Sequence, residues 1–472
     1  MARRDTYRAV EGRRERLYDL ADEIWATPEL GLHEEASAAT LIEALGSEGF
    51  DVEAGIGGMP TAFVATYGEG EPRIGILGEF DALPGLSQAV AAERQPIEEG
   101  APGHGCGHNL FGTAGVGAAA AVAEAIESGD LDGTVAFFGC PAEETLVGKP
   151  FMARAGAFDD LDAAVAWHPS DRTHPQLSSS LALDSVQFTF EGQSSHAAAS
   201  PESGRSALDA VQLLGTGVEY VREHVPDDAR IHYSIPDGGG APNVVPESAT
   251  AWFFVRAPTR AGVERLSEWV GDVAEGAALM TRTSVERRYV TGCWELLSNE
   301  PIADRFGEVM AELGPVDYDE VDREFAAELK ATVPEAELDD AVADLPDDVH
   351  EAFRSAALYD EPIGAYDAGE VGMGSTEVGD VSWITPTAQF RASTWAVGTS
   401  PHTWQAVAAN GDFGRKGMVY AAKVLAGTVR DLLADADLRA AARAAWEEDR
   451  GDRRYESPLP ADAEPPFDVT AD

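Results

Sequence analysis

Apolar positions recur with a helical period over residues 6–27 and again over 36–47, with polar residues filling the opposite faces. The period then changes. TAFVATY (61–67), RIGILGEF (73–80), GTVAFFGC (133–140) and AAVAWH (163–168) are short, nearly continuous apolar runs. Runs of that length and composition predict strands buried on both faces. The alanine-rich stretch 111–129, between the second and third run, predicts a helix. Short buried strands alternating with helices define an α/β class, a mixed sheet flanked by helices. Ligands bind such sheets at the carboxyl ends of the strands. Glu79 and Asp81 end one predicted strand, Glu143 and Glu144 follow another, and His168 closes a third.

The texture differs from about 186 to 296. Apolar alternation and amphipathic runs succeed one another as β-α-β-β-α-β, a ferredoxin-like module complete in itself. The α/β pattern resumes after 300, so the module is expected as an insertion. The chain divides accordingly into 1–185, the first part of a main domain; 186–296, the inserted module; 297–450, the second part; and 451–472, a tail. The tail's prolines and acids predict poor order. Residues 316–361 are acidic and helix-prone and read as a surface excursion, and 403–434 reads as one long helix. No internal repeat is visible.

Charge changes what the chain can bind. Its 472 residues carry 83 Asp and Glu against 34 Lys and Arg, a formal net charge of -49. Lysine occurs only at 149, 330, 416 and 423. Such a field repels nucleic acid and anionic membranes, and both are excluded as partners. It suits a solvated surface in concentrated salt, where screening shortens charge repulsion. No run approaches the roughly 18–20 uninterrupted apolar residues of a spanning helix. The first 25 residues have charges but no apolar core of a signal peptide. With three cysteines in no pairing pattern, a reducing cytoplasm is the expected setting.

Candidate chemistry concentrates in GHGCGHN (103–109). Cys106 and His108, two residues apart, point the same way on an extended or looping backbone. Gly105 and Gly107 leave room for approach. Thiolate and imidazole suit zinc and neighbouring divalent metals, although a buried cysteine in a turn has the same spelling. A closed structural zinc site lacks its second Cys pair, and a cysteine nucleophile has an awkwardly placed base. CPAEE (140–144) adds two adjacent carboxylates past a strand end, costly to bury without a cation between them. One carboxylate can ligate a metal while the other serves as general base, unless the pair is simply a solvated acidic turn. Alone, His168 reads as a core histidine and His402 as a helix-start residue. Together, one thiolate, three imidazoles and one carboxylate make a site for two divalent ions.

The ordered motifs GILGEFDALPGLSQ (75–88), GHGCGHNLFGTAG (103–115), GCPAEE (139–144), AWHP (166–169), SSHAA (194–198), SGRSALDAV (203–211), GGGAPNVVP (238–246), GSTEVGDVSW (374–383) and AVGTSPHTWQ (396–405) carry a resemblance. They resemble the metal-dependent peptidase and amidohydrolase family that includes aminoacylase, carboxypeptidase G and the auxin-conjugate hydrolases. The likeness runs from about 20 to 450. It implies that the main domain is catalytic and that the module is a lid and dimerisation element. It implies metal ligation by Cys106, His108, Glu144, His168 and His402, and Glu143 as general base. His196 matches a histidine that reaches into the active site of a partner chain and helps hold the oxyanion. Asn243 and Arg256 match positions that bind the substrate's amide or carboxylate, and Gly374 and Ser375 a substrate-lining loop. Many members have His-x-Asp where this chain has Glu79-Phe80-Asp81, which leaves Asp81 to orient a ligand from behind and Glu79 and His104 without a role. Two divalent ions, zinc or manganese, are implied. So are hydrolysis of a small N-acyl amino acid and pairing, as a homodimer or as a heterodimer with a related chain. A dipeptidase or aminoacylase of other specificity, or a protein active only with its partner, are the alternatives.

Overall fold

A computed structural model describes residues 3–469. The described residues form eleven strands: β1 (Asp51–Ala54), β2 (Phe63–Glu69), β3 (Arg73–Glu79), β4 (Gly133–Cys140), β5 (Ala163–Ser170), β6 (His174–Gln176), β7 (Ala182–Glu191), β8 (Arg230–Asp237), β9 (Ser248–Ala257), β10 (Ser284–Cys293) and β11 (Thr387–Ser393). Seven of them make one mixed sheet in the order β1-β2-β4-β3-β5-β11-β6. Its centre is parallel: β4 with β3, β3 with β5, and β5 with β11. Parallel pairing brings four carboxyl ends to one edge, the edge where Glu79, the Glu143–Glu144 turn and His168 lie. β4 is buried along its whole length, as its unbroken GTVAFFGC run requires.

The helix His108–Glu127 packs on this sheet and against the helix Gly414–Ala434. By length and apolarity it could cross a membrane, but it is the core helix of the fold, buried almost throughout. The break expected nowhere in 6–27 occurs at Gly12 and Arg13, between helices Arg3–Glu11 and Arg14–Ala26. The expected long helix 403–434 is likewise two, Trp404–Asn410 and Gly414–Ala434. Gly411, between them, lies against Trp25, whose ring a Cβ would approach to 2.8 Å. A bulkier, helical residue there would collide with the first helical layer.

The other four strands form an antiparallel sheet in the order β10-β7-β9-β8. Helices Ala207–Val221 and Arg260–Thr281 pack on it around a separate core that includes Phe188, Leu214, Phe253 and Val263. Ser206 and Thr259 cap these helices, each accepting from a backbone N–H three residues on. β11, which follows this unit in sequence, returns to the first sheet between β5 and β6.

Residues 316–361 are not merely a surface excursion. Helix Glu320–Lys330 buries Ala326 and Leu329 in the main core, helices Glu335–Ala343 and His350–Ser355 pack at a small core of Leu345, Phe353, Ile363 and Val397, and Glu335–Ala343 also walls a cavity. The tail also departs from expectation. A helix, Ala436–Arg450, precedes it, and residues 451–469 then lie against the main body. Trp294 Nε1 donates to the Glu456 carbonyl at 3.0 Å, Arg154 Nη2 to the Ala463 carbonyl at 2.7 Å, and Leu459 is buried. Proline and acid content describe a segment that cannot fold alone; they do not see a groove made elsewhere. Residues 470–472 lie outside the described residues.

Tyr455 anchors this tail by donating to Asp380 Oδ1 at 2.9 Å. Burial pushes the Asp380 carboxyl up to about 7 despite that bond. A carboxyl that binds its proton more tightly when folded stabilises the fold below its unfolded pKa and loses that contribution as pH rises through about 7. Asp380→Asn should therefore flatten the fall in stability between about pH 4 and 7. Melting curves of both proteins across that range check this; parallel profiles would refute it.

Candidate metal centre

Cys106 sits in the loop before the core helix, and Gly107, at φ 82°, turns the chain into that helix at His108. A Cβ at Gly107 would meet Pro169 at 2.8 Å, and one at Gly105 would meet the His402 backbone at 3.3 Å. The glycines let three segments close on one point. The His402 N–H donates to the Gly105 carbonyl at 2.9 Å, holding His402 in the left-handed region at φ 64°.

Candidate ligand atoms of Cys106, His108 and His168 all lie within 4.8 Å of one another, and so do those of Cys106, Glu144 and His402. These two triads share Cys106, and a third group within the same limit, Glu79, His108 and Glu143, shares His108 with the first. His108 Nδ1 donates to Asp81 Oδ1 at 2.7 Å, which leaves Nε2 with its lone pair toward the triad. Asp81 Oδ2 accepts from the Glu144 N–H at 2.9 Å, so one buried carboxylate orients both triads. His168 Nδ1 donates to the Pro169 carbonyl at 2.7 Å, and its Nε2 faces Cys106 Sγ at 3.3 Å. His402 Nε2 lies 3.2 Å from Glu144 Oε2.

The donor set fits a cation. His108 Nε2 and Glu144 Oε1 are buried without hydrogen-bond partners. Hydrogen bonds to Cys106 and Glu144 lift the His402 imidazole to about 10 against burial. Burial works against His108 too, yet Cys106 and Asp81 hold it well above the usual histidine value. Anionic groups in such excess draw positive charge to this point, as protons on the histidines or as a metal ion in their place.

Glu143 stands beside the triads on a single 3₁₀ turn flanked by Ala142 and Leu146, both at positive φ. Its Oε2 is 3.9 Å from His108 Nε2. Burial, then the Glu79 charge, pushes its pKa well above the ordinary carboxylate range, with His108 and Lys149 opposing. Glu79 has one oxygen 3.3 Å from His108 Nε2; the other accepts from Lys149 Nζ at 2.7 Å. Lys149 Nζ also donates to Glu377 Oε1 at 3.0 Å, and all three residues are buried. Sequence reasoning missed Lys149 and Glu377. The scarcity of lysine was the available signal, and Glu377 stood inside GSTEVGDVSW. His104 serves packing: its Nε2 meets the Ile24 carbonyl at 3.0 Å, and its own carbonyl accepts from Asn410.

The remaining candidates belong to none of these ligand groups. His196 is exposed on the four-stranded unit, where its Nδ1 accepts from the N–H groups of Ala198 and Ala199 at 3.2 Å. Asn243 is beside it, its carbonyl accepting from the Ala197 N–H at 3.0 Å. Arg256, half-buried on β9, has its guanidinium 5.4 Å over the Phe254 ring. Gly374 and Ser375 follow Gly372 and Met373, which line a cavity of about 540 Å³ beside the triads. Gly374 ties its loop to the body by accepting from the Leu181 N–H at 2.9 Å.

A cage of thiolate, imidazole and carboxylate on the carboxyl edge of an α/β sheet, with Glu143 against it, offers the donors and the base that metal-dependent hydrolases use. The family model for peptidase family M20/M25/M40 matches residues 75–430, and the chain belongs to that family. It is a hydrolase acting on C–N amide bonds. One of the p-aminobenzoyl-glutamate hydrolase chains of Escherichia coli K12 is 39% identical over 97% of both sequences. Mouse Xaa-Arg dipeptidase is 34% identical over 58% of this chain and 62% of its own length. Among solved structures, an aminobenzoyl-glutamate utilization protein from Klebsiella pneumoniae superposes with a TM-score of 0.58. It is 17% identical, covering 87% of this chain and 96% of that one. A dinuclear metal binding peptidase of the M20 family from Bacillus subtilis gives 0.56 at 17% identity, covering 90% and 99%. These two show the fold.

Proposed function

We propose that this chain hydrolyses the amide bond of p-aminobenzoyl-glutamate or a near N-acyl amino acid. The observation that carries the reading is the pair of ligand triads joined at Cys106 with Glu143 beside them. The near full-length relative supports the substrate. Cys106, His108 and His168 would hold one divalent ion, and Cys106, Glu144 and His402 a second; zinc or manganese suits the set. Bound there, the ions would supply Lewis acidity toward the scissile carbonyl and a water of lowered pKa.

The chain's own residues do the rest. Glu143 Oε2 takes the attacking water's proton and returns it to the leaving nitrogen, a task its raised pKa suits. Asp81 keeps the His108 tautomer that presents Nε2. The four-stranded unit, 186–296, acts as a ferredoxin-like lid and pairing module. With Nδ1 of His196 accepting, its Nε2–H is left to donate to the oxyanion in a partner chain's site. Edge strand β8 exposes Tyr233 and Ile235, apolar side chains on an unpaired edge that a second copy or a related chain covers. A different chain of the same Escherichia coli K12 hydrolase is also similar, 29% identical over 48% of this one, which supports pairing with a relative.

Metal analysis joined to hydrolysis of p-aminobenzoyl-glutamate tests this. Two ions per chain are expected, lost with activity on chelation and regained with zinc or manganese. Cys106→Ala should lose both ions and His402→Ala one, since only Cys106 belongs to both triads. A fully loaded Cys106→Ala protein would end the reading. A second reading, a dipeptidase for cationic residues, draws on Glu337, Asp340 and Asp344 along the cavity. Relative rates on p-aminobenzoyl-glutamate and an Xaa-Arg dipeptide separate the two.

A further inference from the structure

We infer that Arg391 is the specificity residue of this cavity and holds a carboxylate of the substrate beside the candidate metal centre. The inference rests on the amidohydrolase reading above and adds the recognition element on the main sheet.

Arg391 lies on β11, in register with His168 on β5 and His174 on β6. It lines the cavity of about 540 Å³. Its one side-chain hydrogen-bond contact among the described residues is His168 Nδ1, at 3.4 Å from Nη1. That nitrogen already gives its proton to the Pro169 carbonyl and has no lone pair for Arg391. No described carboxylate comes within 4.0 Å of the guanidinium, although the chain has 83 acids for 34 basic side chains. The arginines buried outright have acids beside them. Arg172, on the same cavity, meets Asp171 at 2.8 Å. Arg260 meets Asp184 at 2.5 Å and two backbone carbonyls.

An arginine kept from its counter-ion in so acidic a chain marks a place for an anion. Its planar fork matches a carboxylate in a way a lysine would not. The lining also carries Glu337, Asp340, Asp344, Asp367 and Glu370, which repel the same group. A carboxylate thus has one favourable place along the cavity, and that place touches a candidate metal ligand. Substrate is oriented by that asymmetry. The chemical class it selects is an N-acyl amino acid with a free carboxylate near the scissile amide.

The test uses the metal-loaded full-length protein and three compounds: p-aminobenzoyl-glutamate and its α- and γ-monoamides. The wild type should prefer the diacid over at least one monoamide in kcat/KM. In Arg391→Met that preference should fall by about tenfold or more, the loss of a charge-assisted bond, with bound metal unchanged. Arg391→Lys should keep part of it, and it answers the same question if the methionine variant does not fold. Free glutamate should raise the melting temperature of the wild type and not of Arg391→Met. Unchanged preference against both monoamides in a folded, metal-loaded variant overturns the inference. If the wild type hydrolyses none of the three compounds, the substrate reading fails instead. The glutamate shift then decides Arg391 separately: its loss in the variant upholds the anion site, and its absence in the wild type removes it.

Discussion

Glu143→Gln should lower kcat by about 10²–10⁴ while leaving metal content and melting temperature near those of the wild type. The substitution keeps the shape of the side chain and takes away its ability to accept a proton. Glu143 is the right group to ask because it belongs to neither triad that holds Cys106 and shares only a third group, with Glu79 and His108. Its oxygen is 3.9 Å from His108 Nε2, close enough to serve a nucleophile held among the ligands. Burial and Glu79 make its carboxylate hungry for a proton. A base so tuned takes a proton from water more readily than an ordinary carboxylate does. Wild-type turnover in the variant would remove the general-base role and leave the triads without their partner in catalysis. Loss of metal along with activity would instead make Glu143 a ligand.

Lys149→Met should destabilise the fold by about 3–5 kcal/mol, the usual cost of breaking a buried ion pair from one side. Methionine fills most of the lysine's volume, so the loss is charge rather than packing. Lys149 is fully buried between Glu79 and Glu377, 2.7 Å and 3.0 Å away. Burial has already pushed Glu377 up to about 8 even with the ammonium against it. Without Lys149, both carboxyls must take up protons or leave the interior. Adding Glu377→Gln should recover part of the loss, because one stranded charge is then gone. Denaturant midpoints of the single and double variants measure this. A single variant within about 0.5 kcal/mol of the wild type would show the triad to be energetically neutral. Since Glu79 also abuts His108, the same variant should bind metal more weakly.

Local chemistry was legible in the residues. The buried run 133–140 became β4 with those bounds, because a strand sealed on both faces must be apolar throughout. The residue types of a metal cage could be named one by one, since thiolate, imidazole and carboxylate advertise their chemistry wherever they stand. The Gly105–Gly107 frame around Cys106 was legible for a similar reason: a missing side chain announces a close approach.

Partnership was not legible. Glu79 had no role until Lys149, seventy positions on, was found against it. The acidic stretch around 335–343 looked like surface and is the wall of the cavity. The tail looked disordered and lies across Trp294 and Arg154. Arg391 drew no notice because an unpaired arginine is ordinary until its guanidinium is known to have no described carboxylate within 4.0 Å.

Taken alone, the chain determined which segments are strand or helix, which side chains can carry metal and proton chemistry, and that its surface repels anions. Periodicity and side-chain chemistry are properties of neighbours along the chain, so no fold is needed to read them. The tertiary structure decided which of those side chains meet. Ligands from 106 to 402 converge because parallel strands end at one edge, and a lysine or arginine acquires its meaning from the charges that long-range packing sets beside it or withholds.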